Sequence, residues 1–494
     1  MAKKRILFFI LIFCMRNSYG QNHFGDSWLM GLYGYYLGFN SNPLLHDSIY
    51  ISGQTFTSFA SGKSNICDSN GIVILISDGM NIYNRQGEFI ENGDSLASPD
   101  YYTFEQGSSI YSQASIFLPM ENGKYYFVMP TCNDTNLNYV WLGSSGKAPF
   151  NQLLYSVIDM KANAGAGKVV ARNIPLMENK EISKTQMMAC RHSNGKDWWL
   201  LKMMGDSNNI ATFLFTQDSV IDKGLQRMPF YGKAYHDQFG QMVFNQEGAK
   251  MATTSTSNIG DVFLADFDRC YGFLRNYKKI SVPIQTWEEG QDTSTAGVAF
   301  SPNGRFLYVT MFSHVLQYDL QQQSWYVVSG RDTAYNYFNG FFSCALAPDG
   351  KIYIGNFHGM GNQMSTINNP DQLGAGCNFC PKCFRAITNS YKTAMSVPPC
   401  MPNYELGAQV CWPLEVKEEE KEFFKVFPNP TQHEVSVTIE SYEKPIAARL
   451  MNHLGQVVKE MTLKQQRNTL SLEGLPIGVY FLNVQGHVTK VMKE

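Results

Sequence analysis

One phrase recurs along the chain and limits its possible folds more than any other feature. An apolar strand runs into a tight turn, usually Asn or Asp before Gly, and a second apolar strand leaves it. The clearest copies are Phe300-Ser-Pro-Asn-Gly-Arg-Phe-Leu-Tyr-Val309 and Leu346-Ala-Pro-Asp-Gly-Lys-Ile-Tyr-Ile354. Weaker copies turn at Gly71, Gly123, Gly195 and Gly248. With Gly304 and Gly350 the turn glycines are 52, 72, 53, 56 and 46 residues apart. Asn-Gly and Asp-Gly supply the positive φ angles of a two-residue hairpin turn, so each copy reads as a β-hairpin. A hairpin repeat of this length is the mark of a propeller blade.

The fullest copy predicts four strands, at 296–300, 306–311, 315–319 and 325–328. Six hairpins plus the segment Trp28–Phe39 predict about seven blades. The 72-residue interval predicts an insertion, placed at Ala162–Gly167 by its run of Ala, Asn and Gly. Composition agrees with an all-β chain: aromatic residues reach 14% and there are 41 glycines. Charged residues are only 17%, which excludes wholesale disorder. A net charge of −2 over 494 residues lacks the basic footprint that a nucleic-acid binder needs.

The N-terminus reads as a secretory signal peptide over residues 1–20. Lys3, Lys4 and Arg5 precede ten apolar residues, and Ser18 and Gly20 place small side chains before a cut. Phe13 is too bulky to precede a lipidated Cys14, and no later stretch reaches 18 apolar residues, so no membrane span is expected after signal removal. Ten cysteines remain beyond Cys14, and five crowd together as Cys377, Cys380, Cys383, Cys400 and Cys411. Their two-residue spacings also suit a metal, but an exported chain meets oxidising conditions, and a disulfide cluster is expected with its pairing open.

Residues 346–354 and 365–379 resemble the last blade of a family of exported bacterial WD40-like or lactonase-like propellers. In that family a Gly-Leu-Pro-Asn-Phe phrase follows, where this chain has Val397-Pro-Pro-Cys-Met-Pro-Asn-Tyr404, so ring closure is expected to differ. The charged run 415–424 reads as a linker between a propeller over 21–414 and a small Ig-like β-sandwich over 425–494. The tail resembles the type A C-terminal sorting domain of the type IX secretion system. The resemblance rests on Pro428, Asn429 and Pro430 in the opening phrase, Gly455 in the middle, and Leu475, Pro476, Gly478 and Tyr480 in the closing phrase. It implies the secretion machinery and a sortase as partners through residues 425–494, and delivery to the outer-membrane surface or the medium.

Catalytic signatures are sparse. Ala162–Lys168 imitates a phosphate loop but lacks the first glycine and the Ser or Thr that would hold magnesium. No Gly-x-Ser-x-Gly elbow or His-Glu-x-x-His pair occurs. His236-Asp237, His314 and His358 fall near blade loops and are read as structural. No catalytic, cofactor-binding or metal-binding residue is therefore assigned. The expected function is binding of an extracellular protein or glycan, and the alternative is a lactonase-like hydrolase or lyase acting on a sugar or lactone.

Overall fold

The structure is a computed structural model. It describes residues 23–31, 34–39, 45–48, 59, 61–133, 150–205, 207–229, 240–254, 261–283, 295–330, 340–356, 363–385, 398–411, 424–439, 444–452, 456–485 and 487–494. The signal-like segment, Gly455, His236-Asp237, His358 and most of the linker lie outside these residues. The chain divides into two compact units, Met1–Cys411 and Trp412–Glu494.

The first unit is an all-β, propeller-like array of antiparallel sheets. Among the described residues it holds seven, each built from strands consecutive in the chain. Sheets 1 and 2 have three strands: Ser27–Met30, Tyr35–Gly38 and Leu45–Ser48, then Ser64–Cys67, Val73–Ser77 and Ile82–Asn84. Sheets 3 to 7 have four strands each, and their first strands are Ile116–Pro119, Ile182–Arg191, Met242–Phe244, Thr295–Phe300 and Phe341–Leu346. Successive sheets meet along these first strands. Trp28 and Phe39 of sheet 1 pack edge-on against Tyr353 of sheet 7, at 5.8 and 5.7 Å.

The glycine turns do what their sequence requires. All six join the first strand of a sheet to the second, with φ between +67° and +79°. Sheet 6 has strands Thr295–Phe300, Phe306–Met311, His314–Asp319 and Ser324–Ser329, within a residue or two of the sequence reading. The insertion is elsewhere. Residues 162–167 form the tight connection between strands Gln152–Asp159 and Lys168–Glu178, and the added length of sheet 3 lies between Thr131 and Gln152. An Ala- and Gly-rich run marks a turn without saying how long the connection is.

Strand alternation explains how one sheet holds two neighbours. Trp198 and Trp199 are adjacent on strand Trp198–Met204 and so face opposite ways. The Trp198 indole donates to the Pro119 carbonyl of sheet 3 at 3.0 Å, and Trp199 donates to the Arg269 carbonyl of sheet 5 at 2.7 Å.

The first strands leave their inner backbone edges unpaired, and three glutamines cover part of that edge. The Gln241 amide accepts from the Val298 and Cys344 N–H groups, both at 3.2 Å, and donates to the Cys344 carbonyl at 2.7 Å. Gln113, ahead of sheet 3, donates to the Met242 carbonyl at 2.6 Å and accepts from its N–H at 2.9 Å. Gln186 of sheet 4 donates to the Thr254 carbonyl at 2.6 Å. Backbones crowd here, and a Cβ on Gly297 would stand 2.6 Å from the Phe342 carbonyl oxygen.

At the opposite edge, the fourth strand of each four-stranded sheet breaks register against the third. Such bulges twist an edge strand away from pairing with another chain.

The second unit has a three-stranded sheet of Phe424–Phe427, Glu434–Ile439 and Arg467–Ser471. Its four-stranded sheet runs in the order Val457–Leu463, Ile446–Met451, Gly478–Val484, His487–Lys493. Alternate residues Val435, Val437, Ile439, Leu450, Leu482 and Val484 form one buried core. Phe424, which the sequence places at the end of the linker, begins the first strand and is buried.

Gln241→Leu should cost at least about 3 kcal/mol, because it orphans two buried N–H groups and a carbonyl. Val327→Thr on the exposed outer strand of sheet 6 should stay within about 0.5 kcal/mol. Denaturant midpoints compare the two, and equal costs would refute the bridging role of Gln241.

Candidate functional site

Where the first strands converge they enclose a cavity of about 360 Å³. Its wall takes residues from five of the seven sheets, among them Trp28, Ala189, Phe244, Phe300 and Ser343, and from the turn at Ser112 and Gln113 ahead of sheet 3. The hydroxyls of Ser112 and Ser343 are buried in this wall with no hydrogen-bond partner among the described residues. Among the described residues the lining contains no lysine or arginine, while Asp26 and Glu405 bring carboxylates. His23 Nδ1 stands 2.5 Å from the buried Asp26 carboxylate. Burial is the main cause that raises Glu405 above the ordinary carboxylate range, followed by the charge of Asp26.

The segment 398–405 closes one side. It lies against the glycine-turn ends of the sheets: Tyr404 Oη donates to the Phe117 carbonyl at 2.8 Å and Asn403 Nδ2 to Gln246 O at 2.8 Å. Farther on, the Arg269 guanidinium donates to Gly407 O at 2.5 Å and to Arg191 O at 2.9 Å. The Cys270–Cys411 disulfide fastens the end of this strap to the turn after strand Asp261–Asp268.

Behind the cavity two lysines are fully buried. Lys202 Nζ donates to the Thr185 carbonyl, and the Lys63 carbonyl accepts from the N–H of Cys400 at 3.4 Å. Loss of hydration disfavours the ammonium and pulls both side chains down to about 7. The same cause pushes the Cys400 thiol up to about 12.

In the second unit the motif residues gather at the terminal strand. Asn429 Nδ2 donates to Lys490 O at 2.7 Å, and Asn429 Oδ1 accepts from Met492 N–H at 2.8 Å, which ties the Pro428–Pro430 bend to strand His487–Lys493. Lys493 Nζ donates to Leu472 O at 2.9 Å and Leu475 O at 2.7 Å. Tyr480 Oη donates to Pro476 O at 2.6 Å, and Gly478 opens strand Gly478–Val484. Opening phrase, closing phrase and basic end are thus brought together.

The five crowded cysteines have two kinds of place in the structure. Cys380 pairs with Cys383 and Cys411 pairs with the distant Cys270, while Cys377 and Cys400 are buried thiols. His314 hydrogen-bonds the adjacent Ser313 hydroxyl at 2.7 Å. Sequence reasoning missed Ser112, Ser343, His23 and Asp26, which belong to no motif and meet only when the sheets converge.

Residues 425–494 match the family described as the secretion system C-terminal sorting domain. Beta-agarase A of Zobellia galactanivorans is 35% identical over 81 residues, and the match spans 16% of this chain and 15% of the length of that relative. Among solved structures, a candidate 6-phosphogluconolactonase from Bacteroides uniformis aligns at 11% identity and TM-score 0.40, covering 69% of this chain and 92% of that one. Citrobacter koseri AztD aligns at 10% identity and TM-score 0.35, covering 77% and 95%. A Lactobacillus plantarum protein aligns at 8% identity and TM-score 0.38, covering 69% and 91%. The sorting domain marks the chain for type IX export to the cell surface or the extracellular medium. Among the described residues no helix is long and apolar enough to cross a membrane.

Two predictions follow from the strap and the lysines behind it. Cys411→Ser should lower stability by roughly 2–4 kcal/mol, and a non-reducing peptide map should show Cys270 linked to Cys411. A map with both thiols free would refute the latch.

Between pH 7 and the ordinary lysine value of 10.5, Lys63 and Lys202 are neutral when folded and protonated when unfolded. Unfolding then takes up protons, so their contribution is absent below pH 7 and grows as pH rises. Buried Cys190 and Cys400, raised from 9.0 to about 12, oppose this above pH 9. Urea midpoints should therefore climb from pH 7 to 9, and less steeply in Lys202→Met. A slope that Lys202→Met leaves unchanged would contradict this.

Proposed function

We propose that the protein is an exported seven-bladed β-propeller that binds an extracellular ligand, with a cleavable Ig-like sandwich at its C-terminus as the secretion address. In this reading residues 1–20 are a signal peptide, 21–414 the propeller, 415–424 an exposed linker and sortase cut region, and 425–494 the domain read by the type IX machinery. The observation that carries the binding function is the cavity where the first strands converge. Its wall offers hydroxyls, amides and aromatic rings drawn from five sheets and the turn ahead of sheet 3, held by the glutamine bridges. A pre-formed concave site with a few convergent polar groups is the usual form of a small-ligand site.

The alternative is an enzyme acting on a sugar or lactone. It is favoured by the His23–Asp26 pair, the one imidazole–carboxylate contact in the cavity wall among the described residues. A general base needs such an orienting partner. Hydrolysis of a lactone that is lost in His23→Asn would establish the enzyme over the binder.

Delivery has its own test. The second unit has a separate core, so deleting Lys425–Glu494 should leave the propeller folded but held in the periplasm. Fractionation of cells producing the truncated chain checks this. Normal appearance at the surface or in the medium would refute the assignment of the tail.

A further inference from the structure

The chemistry of the cavity wall narrows what it can hold. Ser112 and Ser343 are 4% and 5% exposed, and neither hydroxyl has a partner among the described residues. A buried hydroxyl left without a partner loses its hydration with no return. Each can both donate and accept, and so each suits another hydroxyl better than it suits a fixed charge. The wall adds the rings of Trp28, Phe244, Phe300 and Tyr404. Among the described residues its carboxylates are those of Asp26 and Glu405, the His23 imidazole stands beside Asp26, and there is no lysine or arginine. A carboxylate or phosphate ligand would meet like charge there, with nothing to pair it beyond His23. A volume of about 360 Å³ falls at the small end of ligand sites and is enough for one or two sugar rings.

We infer that this cavity is a binding site for a neutral saccharide, whose hydroxyls bond Ser112 and Ser343 and whose ring faces lie against the aromatic wall. The inference rests on the proposed binding function and supplies its ligand class. The sugar reaches the site as a free mono- or disaccharide or as the end of a glycan chain.

Saturation-transfer NMR on the secreted full-length chain tests this with glucose, galactose, mannose, xylose, cellobiose, lactose and maltose. Glucuronic and galacturonic acids serve as charged counterparts, and cellulose and starch oligomers as chain ends. At least one neutral sugar should receive transfer and neither uronic acid should. Preference for an oligomer over its disaccharide would assign the site to glycan ends, and the reverse to free sugars. In Ser112→Ala/Ser343→Ala the affinity should fall about tenfold or more for two lost hydrogen bonds, with an unchanged Tm because neither hydroxyl has a protein partner. The inference is overturned if no neutral sugar in the set binds, if a uronic acid binds better, or if the double variant binds equally well. Transfer to a uronic acid in place of every neutral sugar would overturn this inference and leave the proposed binding function standing, whereas transfer to none of the set would count against both.

Discussion

The structure depends on how the inner backbone edges of its first strands are satisfied. An exposed strand edge is a row of unpaired donors and acceptors, and buried ones are costly unless a partner reaches them. Gln241 answers this with one carboxamide that engages the backbones of sheets 6 and 7 together. Gln113 does the same for sheet 5 from sheet 3, passing over the sheet between them. Such side chains act as short substitute strands. They also fix how closely the sheets converge, which sets the size of the cavity and leaves Gly297 where a Cβ would collide with the next strand.

Much of the architecture was legible because its signals are local. A hairpin turn of Asn-Gly or Asp-Gly is specified within four residues, and each of the six turn glycines joins a first strand to a second. The tail was legible for the same reason: period-two runs such as Val435–Ile439 fall on strands, and the motif residues converge on the terminal strand. What could not be read is non-local. Gln241 looks like any polar residue at a strand start, and its role depends on partners 57 and 103 residues away. Cys270 lies outside the crowded run of cysteines, and its partner is 141 residues on. The outer bulges depend on register between strands, which hydrophobic alternation alone does not encode.

The strap shows how a segment without regular structure can be fixed to the sheets. Within 398–404, prolines prevent residues 398, 399 and 402 from donating to a ladder. The segment is held instead by side chains: Tyr404 on sheet 3, Asn403 on sheet 5, Arg269 on the Gly407 carbonyl, and the Cys270 sulfur on Cys411. An oxidised latch of this kind is consistent with the export that the sorting domain marks, since disulfides persist outside the cytoplasm.

Charge placement then separates what the cavity wall offers from what lies behind it. Lys63 and Lys202 are close to the strap but do not line the cavity, and burial pulls both down to about 7. An amine buried outside the lining cannot pair an anion in the cavity as a solvated lysine in its wall would. The carboxylates, by contrast, stand in the lining, with Asp26 beside His23 and Glu405 exposed to solvent. An anionic ligand would thus leave water for a wall that, among the described residues, holds two acidic groups and no lysine or arginine. A neutral polyol carries no such desolvation cost, and its hydroxyls can replace the water that Ser112 and Ser343 would otherwise require. The same wall that disfavours an anion is therefore compatible with recognition of uncharged sugar.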